Sequence, residues 1–237
     1  MGAAASLREG IALVDALIGL ENTHQDPPPM ADIEKVAALR GAAVVLTVAA
    51  FEDYVKLRVQ EAVKYINTHM SDHRTYDFKR LPIKLLTSHY FLTLQYATRG
   101  NGYDGKKRED RIDDIHTAAI DIAANRLDPL AFSNTGGNPN PDTVSEMLKN
   151  LGIIDPFAQI KPIYETITTT PVAETYIKDK LDSLIKVRNI VAHSAKSGGI
   201  PRADVLQFRQ FAENLSEALN TLLDKHCEAI VLSAQKP

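Results

Sequence analysis

The residues best suited to chemistry in this chain lie in one short stretch, RNIVAHSAKSGG, which runs from Arg188 to Gly199. Arg188 is followed directly by Asn189 and, five positions on, by His193. A guanidinium is a fixed fork of N–H donors for anions, and a histidine with a pKa near ~6.5 exchanges protons at neutral pH. The three side chains together could bind an anion and move a proton.

Helical geometry places the arginine on the packing side of its helix. At roughly 100° per residue, Arg188 continues the apolar line of Leu181 and Ile185, while Asn189 and His193 lie one turn apart on an adjacent face. An unpaired charge on a packed face is strongly destabilising. We therefore expect the guanidinium to meet a carboxylate, a phosphate or a partner chain.

A second stretch has the same spacing but different neighbours. Arg111 and His116 also stand five apart, with Asp113 and Asp114 between them. Two carboxylates at that point would repel a phosphate. The segment 185–203 contains no Asp or Glu, so the contrast favours the stretch at Arg188 as the functional one.

Composition excludes several other classes of site. The formal net charge is -3, so the chain carries no global basic field for nucleic acid. The single cysteine, Cys227, cannot form an internal disulfide or a CxxC zinc site, which favours a cytoplasmic location and no metal or other cofactor. His69 and His73 lack a third ligand, and the NTGGNPNP stretch lacks the lysine of a phosphate loop. The longest apolar run is too short to cross a membrane.

Apolar residues recur with helical period along almost the whole chain, which predicts an all-α fold. Residues 31–70 contain no proline, which indicates a long second helix or two nearly continuous ones. A loop-rich insertion precedes the motif helix, and Thr143 with Glu146 predicts a capping box for a short helix after that loop. Thr170-Pro171 predicts the start of the motif helix and Pro201 the start of the last one. We expect one domain over residues 1–237, with its core at about 31–225.

At this point the sequence resembles a known family. The stretch KLDSLIKVRNIVAHS is similar to the signature helix of HEPN domains, whose ribonucleases carry an arginine, a polar residue after it and a histidine a few positions later. The stretches LRGAAVVLTVAAFEDYVKLRV and TGGNPNPDTVSEMLKNLGI resemble the RiboL-PSP-HEPN branch. The resemblance covers roughly residues 31–223 and implies a HEPN-like helical bundle.

What the resemblance implies about function is a metal-independent endoribonuclease, of toxin or antiviral-defence type, that works as a homodimer. His193 would transfer protons, Arg188 would bind a phosphate oxygen, and Asn189 would orient the histidine or hydrogen-bond the phosphate. Glu52, on the long helix, would support the site by pairing with Arg188. An antitoxin or defence-system protein is an implied partner.

Other cations are candidates for binding RNA. Lys186 and Lys196 flank the motif. The stretch HRTYDFKRLPIK interleaves Arg74, Lys79 and Arg80 with aromatic residues, a mixture that single-stranded RNA favours, although a solvated connection between helices explains it equally well.

Two alternatives stay open beside the ribonuclease. One is a noncatalytic HEPN module that binds RNA, a nucleotide or a partner protein. The other is a helical scaffold in which Arg188 and His193 only stabilise a dimer. A structural explanation of the motif itself is also open, in which Arg188 pairs with Glu52 and His193 is favoured by the helix dipole.

Overall fold

The computed structural model describes residues 2–100, 105–194 and 199–237, apart from the side chain of Ser194. The described residues form helices joined by short connections, which confirms the all-α prediction; Tyr76 and Gln235 form an isolated β-bridge. The helices are α1 (Ala3–Glu21), α2 (Ile33–Met70), α3 (Ile83–Arg99), α4 (Ile112–Ala123), α5 (Pro129–Phe132), α6 (Pro141–Asn150), α7 (Pro156–Thr168), α8 (Tyr176–Ser194) and α9 (Arg202–Ser233).

Helix α2 is the axis on which the others pack. Its 38 residues form one continuous helix, about 57 Å long, as the absence of proline predicts. Helix α1 packs along α2 between Arg40 and Glu61, and Gly10 allows close approach: a Cβ added at Gly10 would lie 2.5 Å from the Cβ of Ala50. Helix α9 packs along α2 as well, and the Tyr54 hydroxyl donates a buried hydrogen bond to the carbonyl of Ser216.

The apolar faces of α2, α8 and α9 meet in one core. Phe51, Val59, Leu184 and Leu215 are each fully buried within it. The motif helix α8 contributes its first half to this core, since Ile177, Leu181, Leu184 and Ile185 are buried. Its last turns leave the core, and Ala192 and His193 are exposed. The core therefore fixes α8 while its C-terminal end stays at the surface.

Two predicted helix starts are wrong. Helix α6 begins at Pro141 with Asn140 as its N-cap, whose side chain accepts a hydrogen bond from the backbone N–H of Thr143, so Thr143 is not the cap. Proline fits the first helical position because its fixed φ suits a helix and its missing N–H is not needed there. The motif helix begins at Tyr176, after Pro171, rather than at Pro171 itself.

A buried ionic cluster ties the ends of α1, α2 and α9 together. Arg40 donates to Glu21 at 2.8 Å and to Asp26 at 2.9 Å. Arg202 donates to the other oxygen of Glu21 at 2.7 Å. A further N–H of Arg40 donates to the carbonyl of Ile200, just before α9. This cluster, Glu21–Asp26–Arg40–Arg202, is called the α1 ionic cluster below.

Across the described ranges, no helix is long and apolar enough to cross a membrane.

Candidate functional site

Arg188 lies where α8 emerges from the core. One turn earlier Ile185 is buried, whereas Arg188 itself is half-buried. Its Nη1 donates a hydrogen bond to the side-chain oxygen of Asn189 at 2.9 Å, and its Nη2 donates to the backbone carbonyl of Gly137 at 3.4 Å. Both partners are neutral oxygens, so neither cancels the charge of the guanidinium.

The absence of a carboxylate distinguishes Arg188 from the other sheltered arginines. Within the described residues, Arg188 has no ion pair, although six arginines are partly or fully buried. The other five are each within 4 Å of a carboxylate: Arg40 with Glu21 and Asp26, Arg58 with Asp224, Arg111 with Asp114, Arg202 with Glu21, and Arg209 with Asp15 and Glu213. A half-buried cation without an acid is suited to binding an anion from outside the chain.

The predicted pairing of Glu52 with Arg188 is wrong. The Glu52 carboxylate lies 2.6 Å from the ammonium of Lys56, one turn along α2. It also accepts a buried hydrogen bond from the hydroxyl of Thr135 at 2.7 Å. Lys56 and Thr135 both bind Oε1 of this acid, and within the described residues no hydrogen bond or ion pair joins it to the guanidinium.

The loop from Ser133 to Gly137 connects Glu52 to Arg188 indirectly. The Thr135 hydroxyl donates to Glu52 and accepts from the backbone N–H of Gly137 at 3.2 Å, and the carbonyl of Gly137 accepts from Arg188. Gln60, two turns after Glu52 on α2, donates to Ser133. We call this path of hydrogen bonds from Glu52 through Thr135 and Gly137 the loop relay.

A partial signal for this loop is present in the sequence. Gly136 and Gly137 both have positive φ, +62° and +82°, a conformation that glycine adopts without steric cost. Two adjacent glycines predict such a turn, but nothing in the local pattern points to Thr135 or to the carbonyl that meets Arg188.

Asn189 and His193 occupy the outer side of α8. Asn189 is half-buried and its side-chain oxygen is held by Arg188, so in this structure it orients the arginine rather than the histidine. His193 is exposed and makes no hydrogen bond within the described part of the chain. Five residues correspond to about 500° of helix, so Arg188 and His193 leave α8 in directions about 140° apart.

Of the two flanking lysines, the structure describes only Lys186. Lys186 forms an ion pair with Asp182 at 2.6 Å, one turn earlier, and this hydrogen bond raises the pKa of Lys186. The acid-free segment that begins at residue 185 therefore has a carboxylate at its edge. Lys196 lies outside the described residues.

The basic stretch at Arg74, Lys79 and Arg80 lies far from the motif. Its segment packs against the end of the chain, where the Arg80 guanidinium donates to the carbonyl of Gln235. Gly137, the partner of Arg188, lines a cleft with Lys56 and Gln60 of α2, and α2 continues for ten residues beyond Gln60, about 15 Å, before this stretch begins. Within one chain, the structure does not bring this stretch together with Arg188.

The second Arg-x4-His stretch is structural. Arg111 is buried and pairs with Asp114 at 3.6 Å, so its charge is balanced within the protein. Among the described residues, no group of three or more His, Cys, Asp or Glu side chains could hold a metal ion.

The helical bundle, with an Arg-x4-His sequence at the exposed end of a packed helix, defines a HEPN domain. The model of the family described as RiboL-PSP-HEPN matches residues 11–225, and the chain therefore belongs to this family. This confirms the resemblance, and the match begins earlier than residue 31. No curated protein and no solved structure matches the chain.

Proposed function

We propose that this HEPN domain is a metal-independent endoribonuclease with Arg188, Asn189 and His193 in its active site. The observation that carries the proposal is the half-buried Arg188 guanidinium, which has two neutral partners and no carboxylate in the described part of the chain. RNA brings a phosphate, the anion that a planar fork of donors binds best. A phosphate oxygen would take the place that an acid has at the other sheltered arginines.

Cleavage of RNA by its own 2′-hydroxyl needs three functions. A base removes the proton of the 2′-hydroxyl, an acid protonates the departing 5′-oxygen, and positive charge stabilises the phosphorane. His193 supplies proton transfer and Arg188 supplies charge. The bond from the 2′-oxygen to phosphorus forms as the bond to the 5′-oxygen breaks, which leaves a 2′,3′-cyclic phosphate.

A two-fold homodimer would complete this set of groups. One chain has one histidine in the motif, and Arg188 and His193 leave the helix about 140° apart. The outer side of α8 carries Ile190, which is 59% exposed, and His193. A second copy packed on this side would bring two imidazoles to one cleft, because a two-fold interface contains each of its residues twice, once from each chain. Toxicity or antiviral defence, restrained by an antitoxin or a defence partner, is the role we propose for such a cytoplasmic enzyme.

The test is cleavage of single-stranded RNA and transfer RNA by the full-length protein in EDTA. We expect products with 2′,3′-cyclic phosphate ends, and a loss of rate of about 10²-fold or more in both Arg188→Ala and His193→Ala, since proton transfer contributes 10²–10⁴-fold. His116→Ala, which removes another exposed histidine, is the matched control and should retain full activity.

Equal rates in all four proteins would exclude the motif as the active site. Dimerisation is tested separately. If the two chains share one site, mixing the Arg188→Ala and His193→Ala proteins should restore part of the cleavage activity. Sedimentation equilibrium then reports whether active protein is a dimer.

A noncatalytic RNA-binding module is the second candidate, and the surroundings of His193 favour it. No described residue hydrogen-bonds the imidazole, whereas a catalytic histidine is usually oriented by a second group. This candidate predicts RNA binding without turnover, and affinity that falls in Arg188→Ala but not in His193→Ala.

A further inference from the structure

A polar cleft lies between α3 and α6. The loop before α6 separates it from α2. Its volume is about 560 Å³, within the range of pockets that hold small ligands. Gln95 and Arg99 line it from α3, one turn apart, and Asp142 and Glu146 line it from α6, also one turn apart. Apolar side chains, including Phe132, complete its lining.

The two walls of this cleft carry opposite charges that do not meet. Arg99, Asp142 and Glu146 are all exposed, and none of the three forms a hydrogen bond or ion pair through its side chain with another described residue. The cleft therefore presents a fork of N–H donors on one wall and carboxylate acceptors on the other. A ligand that fills it needs acceptors facing one wall and donors facing the other.

The cleft continues toward the motif. Tyr96 and Asn134 line both this cleft and a second one of about 160 Å³, which Lys56, Gln60 and Gly137 also line. The carbonyl of Gly137 accepts the hydrogen bond from Arg188. A chain bound at Arg188 through a phosphate could thus place a neighbouring nucleotide along the second cleft and its base in the first.

We propose that the α3–α6 cleft binds a guanine base of the RNA strand, an inference that rests on the ribonuclease function proposed above. Guanine has two adjacent acceptors, O6 and N7, which an arginine binds bidentately. It also has two adjacent donors, N1–H and the 2-amino group, on its Watson–Crick edge, which a carboxylate accepts together. Uracil and adenine lack both of these pairs, and cytosine, which has adjacent acceptors at N3 and O2, lacks the donor pair.

The negative charge of the two acids favours a base over a phosphate in the α3–α6 cleft. Asp142 and Glu146 repel phosphates, so the cleft accepts a base while the sugar–phosphate chain follows the side of Arg188. Unstacked bases of single-stranded RNA are read on such edges by polar side chains. The substrate is then a single-stranded region with a guanine near the cleaved linkage.

Binding of short oligouridylates by the full-length His193→Ala protein tests this inference without cleavage. The oligomers carry one central guanosine, inosine or uridine, and inosine lacks only the 2-amino group. We expect the guanosine oligomer to bind about tenfold more tightly than the uridine oligomer, because a good bidentate pair discriminates at about that level. Glu146→Gln in this background should make the guanosine and inosine oligomers bind with equal affinity. The matched control is Glu217→Gln, which removes an exposed carboxylate on α9, and it should leave the preference unchanged.

The outcomes separate this inference from the proposed function. Equal binding of all three oligomers, no binding of any, or the same preference in Glu146→Gln and Glu217→Gln overturns the guanine site. RNA cleavage in EDTA without guanine preference would support the proposed ribonuclease function and overturn only the guanine site. Guanine-dependent binding in a protein that never cleaves RNA would support the cleft and contradict the enzyme. Binding of guanosine 5′-monophosphate that Glu146→Gln abolishes, with no base preference among the oligomers, would instead assign the cleft to a free nucleotide.

Discussion

Arg40 and Arg188 are both helical arginines sheltered from solvent, but their surroundings are opposite. Arg40 is 8% exposed and donates to the carboxylates of Glu21 and Asp26. Arg188 is half-buried and donates only to an amide oxygen and a backbone carbonyl. The α1 ionic cluster balances its cations within the chain, whereas Arg188 has no carboxylate partner among the described residues. Under the function proposed above, the acids around an arginine, rather than its burial, distinguish a structural guanidinium from a binding one.

Truncating each of the two arginines to alanine tests this contrast most directly. Arg40→Ala should lower the free energy of unfolding by about 3 kcal/mol, because it leaves Glu21 and Asp26 short of a partner, although Arg202 still binds Glu21. For a chain of 237 residues this corresponds to a Tm lower by roughly 6–12 °C. Arg188→Ala should cost about 1 kcal/mol or less and lose RNA cleavage instead.

Urea unfolding and the cleavage assay, run on both variants, measure this difference. Arg126→Ala is the control, since Arg126 pairs with Asp121 at the surface and such pairs contribute about 0–1 kcal/mol. A large loss of stability in Arg188→Ala would show that this arginine is structural too.

The loop relay offers a smaller perturbation of the motif. Thr135→Val keeps the shape of the side chain but removes the hydroxyl that holds Gly137, so we expect RNA cleavage to fall about fivefold, since a lost hydrogen bond costs on the order of 1 kcal/mol. Thr135→Ser should restore the rate. Thr117→Val, at an exposed threonine on α4, serves as the control. If Thr135→Ser is as slow as Thr135→Val, the hydroxyl is not the group that positions Arg188.

Acid should weaken the α1 ionic cluster. The hydrogen bond from Arg40 holds the pKa of Asp26 below its usual value of 3.8. A carboxyl whose folded pKa is lowered stabilises the fold above its unfolded pKa, and this contribution is lost as the pH falls through the folded value. We therefore expect Asp26→Asn to be less stable than the parent at pH 6, with the difference shrinking below about pH 4. The midpoints of urea unfolding at pH 6 and pH 3 measure this difference in stability. Asp110→Asn, at an exposed carboxylate, is the control. A difference between Asp26→Asn and the parent that stays constant with pH would contradict this assignment.

The smallest effect is expected at Glu52. Glu52→Gln removes the charge that pairs with Lys56 but keeps an oxygen that accepts from Thr135, so both stability and RNA cleavage should change little, within about 1 kcal/mol. A loss of activity as large as that of Arg188→Ala would show that the acid acts on the guanidinium after all, and would remove the contrast with the α1 ionic cluster.

Much of the fold could be predicted from the sequence. Apolar spacing predicts helices along almost the whole chain, residues 31–70 lie almost entirely in the single helix α2, and Pro201 marks the start of α9. At α6 two start signals compete, and Asn140 with Pro141 forms the cap in place of Thr143. Arg188, Asn189 and His193 as site residues stay a prediction from sequence, which depends on their spacing and on the family signature within one helix.

The surroundings of that helix were not predictable. Arg188 meets a carbonyl 51 residues away, and Glu52 meets Thr135 across 83 residues. The sequence by itself determined which residues are helical and which helix carries the motif, because hydrophobic period and signature are properties of neighbouring residues. Only the tertiary structure decided which cations have acids beside them, because packing brings those partners together from distant parts of the chain.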